Sequence, residues 1–98
     1  MGEEKVFETK LVKKLRELGV WVLKTHGGLM QRAGIPDLLC CVSGKLLALE
    51  IKAKNGRLSE LQKHCLCELE KSGAISRVVY PDQMDEVLCL VRGLQDKN

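Results

Sequence analysis

Aromatic side chains make up only 3% of this 98-residue chain. That scarcity argues against a single-strand binder of the stacking type, which needs aromatic faces for the bases. No run approaches the roughly 18 consecutive apolar residues of a membrane span. The opening Met-Gly-Glu-Glu-Lys is too charged for a secretory signal, and Val6 stands where a myristoylation signal wants Ser or Thr. The glycines of the 25–35 stretch are followed by no G-K-[ST], so they make no P-loop. No internal repeat, low-complexity segment or linker is evident.

The five cysteines (Cys40, Cys41, Cys65, Cys67, Cys89) are odd in number and contain no C-x-x-C. Cys40, Cys65 and Cys89 lie in apolar runs, where a thiol packs as a small hydrophobe. All five are expected to be reduced, which suits a cytoplasmic setting. His64-Cys65-x-Cys67 suggests zinc, but on a helix positions 65 and 67 face apart, and the paired spacings of strong zinc sites are missing.

What is present is an aliphatic composition, 45% hydrophobic and 30% charged, with a formal net charge of +3. This is one globular domain, 1–98, with a modest core, and its mild basicity is compatible with nucleic acid. Helical periodicity runs from about Glu3 to Leu18 through Phe7, Leu11, Val12, Leu15 and Leu18, and Gly19 ends it. Lys10, Lys13, Lys14 and Glu17 form a solvated face. A short strand follows at 20–24, with Trp21 as either a core or an interface residue. Residues 25–35 have loop composition, with Gly27, Gly28 and Gly34 around Gln31 and Arg32. A hairpin spans 34–52, and a second helix 59–72 ends at Gly73. A core-type strand covers 74–80. A last helix opens at Pro81-Asp82 and runs to about Leu94, with 96–98 expected to fray. The order helix, strand, hairpin, helix, strand, helix defines an α/β fold, a mixed sheet covered by helices.

The hairpin concentrates the chemistry. Two apolar runs flank a Ser43-Gly44 turn signal. With those two residues as the loop, Val42 pairs with Lys45, and counting outward Asp37 pairs with Glu50. Leu46, Ala48, Glu50 and Lys52 share one face of the second strand. Opposed residues have Cβ atoms roughly 4.5–5.5 Å apart, and like charges so placed are destabilising without a counter-ion. An oxygen-seeking divalent cation would serve. The plainer alternative is a ribbon with surface charges, Asp37 merely capping a turn. An odd-length loop would separate the two acids onto opposite faces.

Glu8 borders the apolar stripe of the first helix, so its carboxylate needs a partner, which a nearby lysine could supply. Lys24 ends a strand and either meets solvent or faces phosphate. Lys52, Lys54 and Arg57 form the densest positive cluster, beside Glu50, where a phosphate would have to sit. Ser59-Glu60-Leu61-Gln62 fits a capping box, with Gln62 at N3.

Gly34-Ile35-Pro36-Asp37 followed by Glu50-Ile51-Lys52 resembles the PD-(D/E)xK nuclease signature. With Asn55-Gly56-Arg57-Leu58-Ser59, Gln62 and Gly73-Ala74, the pattern resembles the VRR-NUC family, over about Glu8 to Leu90. The resemblance implies a restriction-endonuclease-like core, with the strand after the second helix parallel to that bearing Glu50. It implies an Mg²⁺- or Mn²⁺-dependent deoxyribonuclease in which Asp37, Glu50 and the Ile51 carbonyl hold the metal. Lys52 would orient water or offset transition-state charge, Glu8 would assist from the first helix, and Gln62 would position water or phosphate. That last role competes with the cap for one side chain, and is preferred. Lys24, Arg32, Lys54 and Arg57 are the DNA-contact candidates. Products would carry 5′-phosphate and 3′-hydroxyl ends.

Small stand-alone members resemble Holliday-junction resolvases. The expectation is therefore a homodimeric, structure-selective endonuclease of phage or mobile-element type, in replication or repair. It would act inside a bacterial cell on branched DNA, with no membrane and no small-molecule substrate. The alternatives are a same-fold nuclease for flaps, plain duplex or restriction-type sites, and a non-catalytic DNA-binding or assembly module.

Overall fold

The computed structural model describes residues 2–25 and 33–97. Seven elements follow in order: α1 (Glu3–Glu17), β1 (Trp21–Lys24), β2 (Leu38–Val42), β3 (Lys45–Ile51), α2 (Glu60–Lys71), β4 (Ile75–Val79) and α3 (Met84–Asp96). The sheet order is β1-β2-β3-β4. β1, β2 and β3 are antiparallel neighbours, and β4 runs parallel to β3. This is the mixed sheet that the order of elements predicts.

The β2–β3 turn has two residues, Ser43 at φ 50° and Gly44 at φ 82°. Two successive positive φ values give the type I′ geometry whose twist matches that of paired strands. An even loop keeps the register Val42↔Lys45 through Leu38↔Leu49. One further step sets Asp37 opposite Glu50, on the same face.

Alternation sorts the sheet into two faces. Val22, Leu38, Cys40, Val42, Leu47, Leu49, Ile51 and Val79 form the main core with Phe7, Leu11, Val12 and Leu15 of α1 and Val87, Leu88 and Val91 of α3. The other face carries Leu39, Leu46, Glu50 and Lys52, and α2 lies against it through Cys65 and Leu69. Glu50, the acid that interrupts β3, therefore sits under α2, away from the larger core.

Two boundaries differ from the sequence expectation. α3 begins at Met84, because a turn precedes it: Gln83 N–H donates to the Tyr80 carbonyl at 3.0 Å, and Gln83 Oε1 accepts from Tyr80 N–H at 2.9 Å. At its far end α3 continues through Asp96, two residues beyond the expected end at about Leu94 and into the 96–98 stretch expected to fray. Gln95 Nε2 donates to the Leu18 carbonyl at 2.7 Å and ties the last turn to the end of α1. Cys89 is exposed, not packed, since α3 turns its 87, 88 and 91 positions inward. The five thiols are all free, and burial pushes that of Cys40 up to about 11. Among the described residues no helix is long and apolar enough to cross a membrane.

Candidate active site

Glu50 is the centre of the site. It is 3% exposed, at the end of the strand that carries the most buried run of the sheet. Its Oε2 accepts from Gln62 Nε2 at 3.1 Å and lies 3.4 Å from Lys52 Nζ. Its Oε1 is buried with no hydrogen-bond partner among the described residues. Burial first, and the Asp37 carboxylate second, push its pKa up from 4.5 to about 7, against the opposing pull of Lys52. The opposed Asp37 carboxylate is close enough for its charge to act on Glu50. A proton or a cation is what two such carboxylates require between them.

Asp37 is held from two directions. Its Oδ2 accepts from the Ile51 backbone N–H at 2.8 Å. Its own carbonyl accepts from Thr25 N–H at 2.9 Å. Continuing the hairpin register one more step places Pro36 opposite Ile51. Proline has no N–H to donate to the Ile51 carbonyl. Ile51 N–H faces Asp37, while Lys52 N–H donates to Val79 on the other side at 2.9 Å. Because N–H and C=O of one strand residue point the same way, the Ile51 carbonyl lies on the Asp37 side of β3.

Gln62 reaches Glu50 because α2 starts where it does. Ser59 caps the helix, its Oγ accepting from Gln62 N–H at 3.1 Å, while Gln62 Oε1 accepts from Ser59 N–H at 2.9 Å. The amide oxygen caps and the amide nitrogen serves Glu50. The two roles treated as competing in the sequence are therefore filled together by opposite ends of one side chain. Gly34 sets the depth of this helix start: it has φ +86°, and a Cβ there would lie 2.6 Å from the Leu61 carbonyl oxygen.

The remaining candidates are placed differently. Glu8 is buried and pairs with Lys24 at 3.2 Å, on the sheet face that α1 covers. Among the described residues no group of three or more His, Cys, Asp and Glu side chains gathers as a metal-ligating set. Glu8 thus takes the lysine partner open to it in the sequence, and the Lys24 ammonium is engaged by that carboxylate. Lys54 and Arg57 are exposed on the 52–59 loop. This loop is braced by Gly56 N–H on the Ala53 carbonyl at 2.8 Å and by Tyr80 Oη on the Gly56 carbonyl at 3.1 Å. Arg32, with His26, Gly27, Gly28 and Gln31, lies outside the described residues.

Sequence reasoning missed Thr25 and Tyr80. The signal for Thr25 was its place one step past β1, which only the strand pairing turns into contact with Asp37. Tyr80 looked like an ordinary strand residue, and its hydroxyl contact spans 24 positions.

A mixed sheet flanked by helices, with opposed acids at a strand end and a lysine two residues on, defines the PD-(D/E)xK nuclease class. A sequence model of the VRR-NUC domain matches residues 10–83, well over half of the chain, and the protein belongs to that family. A solved structure described as a VRR-NUC domain superposes with a TM-score of 0.75 at 24% identity, covering 90% of this chain and 96% of that one. No curated protein matches the chain. Family membership makes this a nuclease-type domain, with DNA as the implied substrate.

Proposed function

We propose that the protein is a metal-dependent DNA endonuclease that nicks branched DNA as a homodimer. The observation that carries the chemistry is the Asp37–Glu50 opposition, with a buried Glu50 oxygen that no donor among the described residues satisfies. The donor set is oxygen only: Asp37, Glu50 and the Ile51 carbonyl. That suits Mg²⁺ or Mn²⁺ better than zinc. When bound, such an ion lowers the pKa of water and offsets charge on phosphate oxygens.

The chain's own residues supply the rest. Lys52, on the same face as Glu50, places an ammonium where charge develops on the phosphate or where attacking water is oriented. Gln62 keeps Glu50 in one rotamer and offers an amide to water or phosphate. Lys54 and Arg57 stand on the adjoining braced loop, placed for the flanking backbone phosphates. Glu8 enters only through Lys24, whose charge it balances.

The homodimer reading is supported by an apolar face beside the site. Trp21 is 62% exposed, Leu23 46% and Leu46 40%. Register puts Trp21 beside Cys41 and Cys41 beside Leu46. Contiguous exposed apolar surface of this kind marks interaction sites. A two-fold pair would present two sites to a two-fold junction.

The test is nicking of an immobile four-way junction in Mg²⁺ or Mn²⁺ beside linear duplex of matched sequence, with Lys52→Ala as control. Symmetric paired nicks lost in the variant support the whole proposal. Equal cleavage of every substrate keeps the chemistry and removes the branch selectivity. No cleavage with either metal favours a non-catalytic DNA-binding module.

A further inference from the structure

We propose that Thr25 is a positioning residue that sets the Asp37 carboxylate opposite Glu50, an inference that rests on reading those two acids as the metal ligands. β1 and β2 pair as Trp21↔Cys41 through Lys24↔Leu38. One step further sets Thr25 opposite Asp37, and the hydrogen bond from Thr25 N–H to the Asp37 carbonyl at 2.9 Å shows that this step is made. Thr25, Asp37 and Glu50 therefore form one row that continues the register of β1, β2 and β3 beyond the ends of the first two.

Asp37 lies outside β2, which starts at Leu38. Its backbone is therefore fixed by whatever holds the Pro36–Asp37 segment. Thr25 does so with two groups. Its N–H takes the Asp37 carbonyl, and its Oγ1 donates to the Pro36 carbonyl at 2.7 Å, with the Asp37 carbonyl at 3.2 Å.

The hydroxyl also changes what Ile51 can bind. In a continued ladder the Pro36 carbonyl would accept from Ile51 N–H. The Thr25 hydroxyl takes that carbonyl instead, and Ile51 N–H turns to Asp37 Oδ2 at 2.8 Å. One hydroxyl thus exchanges a backbone pairing for a clamp on the Asp37 side chain. Without the hydroxyl the Pro36–Asp37 segment is held by the Thr25 N–H alone, so the Asp37 carboxylate and the Ile51 N–H that it accepts from both lose their fixed geometry.

The experiment compares wild type, Thr25→Val and Thr25→Ser by amide hydrogen exchange and by Mn²⁺ titration. Valine is nearly isosteric and keeps the backbone N–H, and serine restores the hydroxyl. The readout is exchange at Ile51 relative to Lys52, whose amide is held by Val79 on the opposite side. In Thr25→Val the Ile51 amide is expected to exchange about tenfold faster relative to Lys52, and Mn²⁺ affinity to fall about tenfold. Thr25→Ser is expected to return both. Uniform acceleration of both amides would show a merely structural role and overturn the proposal. So would wild-type exchange and affinity in Thr25→Val, or failure of serine to rescue. Should the valine variant not fold, Thr25→Ala is read in the same way. If wild type binds no Mn²⁺, the metal-site reading fails, and the Ile51 exchange ratio still decides the role of Thr25.

Discussion

Gln62 holds Glu50 with one end of its amide and its own helix cap with the other. Nε2 donates to Glu50 Oε2 at 3.1 Å, and Oε1 accepts from Ser59 N–H at 2.9 Å. The start of α2 and the orientation of the buried acid are thereby one structural unit, which substitutions can take apart. Gln62→Glu keeps a capping acceptor at N3 but cannot donate to Glu50. It also sets a third carboxylate against Glu50 and Asp37, so stability without metal is expected to fall by about 1–3 kcal/mol. Cleavage should fall by at least about tenfold, the scale of losing one hydrogen bond to a charged group. Denaturant unfolding and single-turnover nicking measure the two effects. Wild-type nicking by the Glu variant would sever Gln62 from the chemistry.

The raised Glu50 pKa predicts a stability profile of definite sign. Glu50 moves from 4.5 to about 7 on folding. The folded state therefore binds the proton more tightly, and this contribution is full below about 4.5 and lost as pH rises through about 7. For a side chain this buried the difference is on the order of 2 kcal/mol. The Tm in EDTA should drop by roughly 10 °C between pH 5 and pH 8. Glu50→Gln should flatten that part of the profile and destroy nicking. Calorimetry across the range decides it; an unchanged slope in the Gln variant would place the titration elsewhere.

Metal binding should oppose the same drop. A divalent cation competes with the Glu50 proton, so its affinity should rise between pH 5.5 and 8, on the order of tenfold per proton displaced per pH unit below the midpoint. Mg²⁺ should raise Tm at pH 8 and leave it nearly unchanged at pH 5. Calorimetric titration in two buffers of different ionisation enthalpy would count the protons released.

Gly34→Ala tests whether the depth of α2 matters. The new methyl meets the Leu61 carbonyl oxygen at 2.6 Å at a backbone of φ +86°. A cost of about 1–3 kcal/mol is expected. Nicking per folded molecule should fall as well, since the helix start that delivers Gln62 must move. An active, wild-type-stable Ala variant would mean the contact relaxes elsewhere.

Trp21→Glu tests the apolar face. A charge on that 62% exposed indole position should dissociate the dimer without unfolding the monomer, because the ring contributes little to the core. Sedimentation velocity should show a shift to monomer. Loss of paired junction nicks with retention of single nicks would follow from separated protomers. A monomeric wild type would remove the two-fold reading.

The sequence by itself carried the sheet composition, the pairing and the family. Ser43-Gly44 dictated a two-residue turn, and from that turn the period-two geometry of strands made Asp37 and Glu50 opposite neighbours. The same local rules located the Ser59 cap and the inward stripe of α1. These are effects of short range, set by φ preferences and by spacing along one element.

Only the tertiary structure decided which partners the charged groups take. It gave Glu8 to Lys24 on one face and left Glu50 under α2 on the other. It showed that Gln62 need not choose between cap and site, since a side-chain amide has two ends and the helix start is placed to use both. It brought Thr25 to Asp37 across 12 positions and Tyr80 to Gly56 across 24. It extended α3 to Asp96 through a contact with Leu18, 77 positions away. Such contacts follow from how strands and helices stack. The energy of a buried polar group depends on what lies within hydrogen-bond reach in space, which spacing along the chain does not encode.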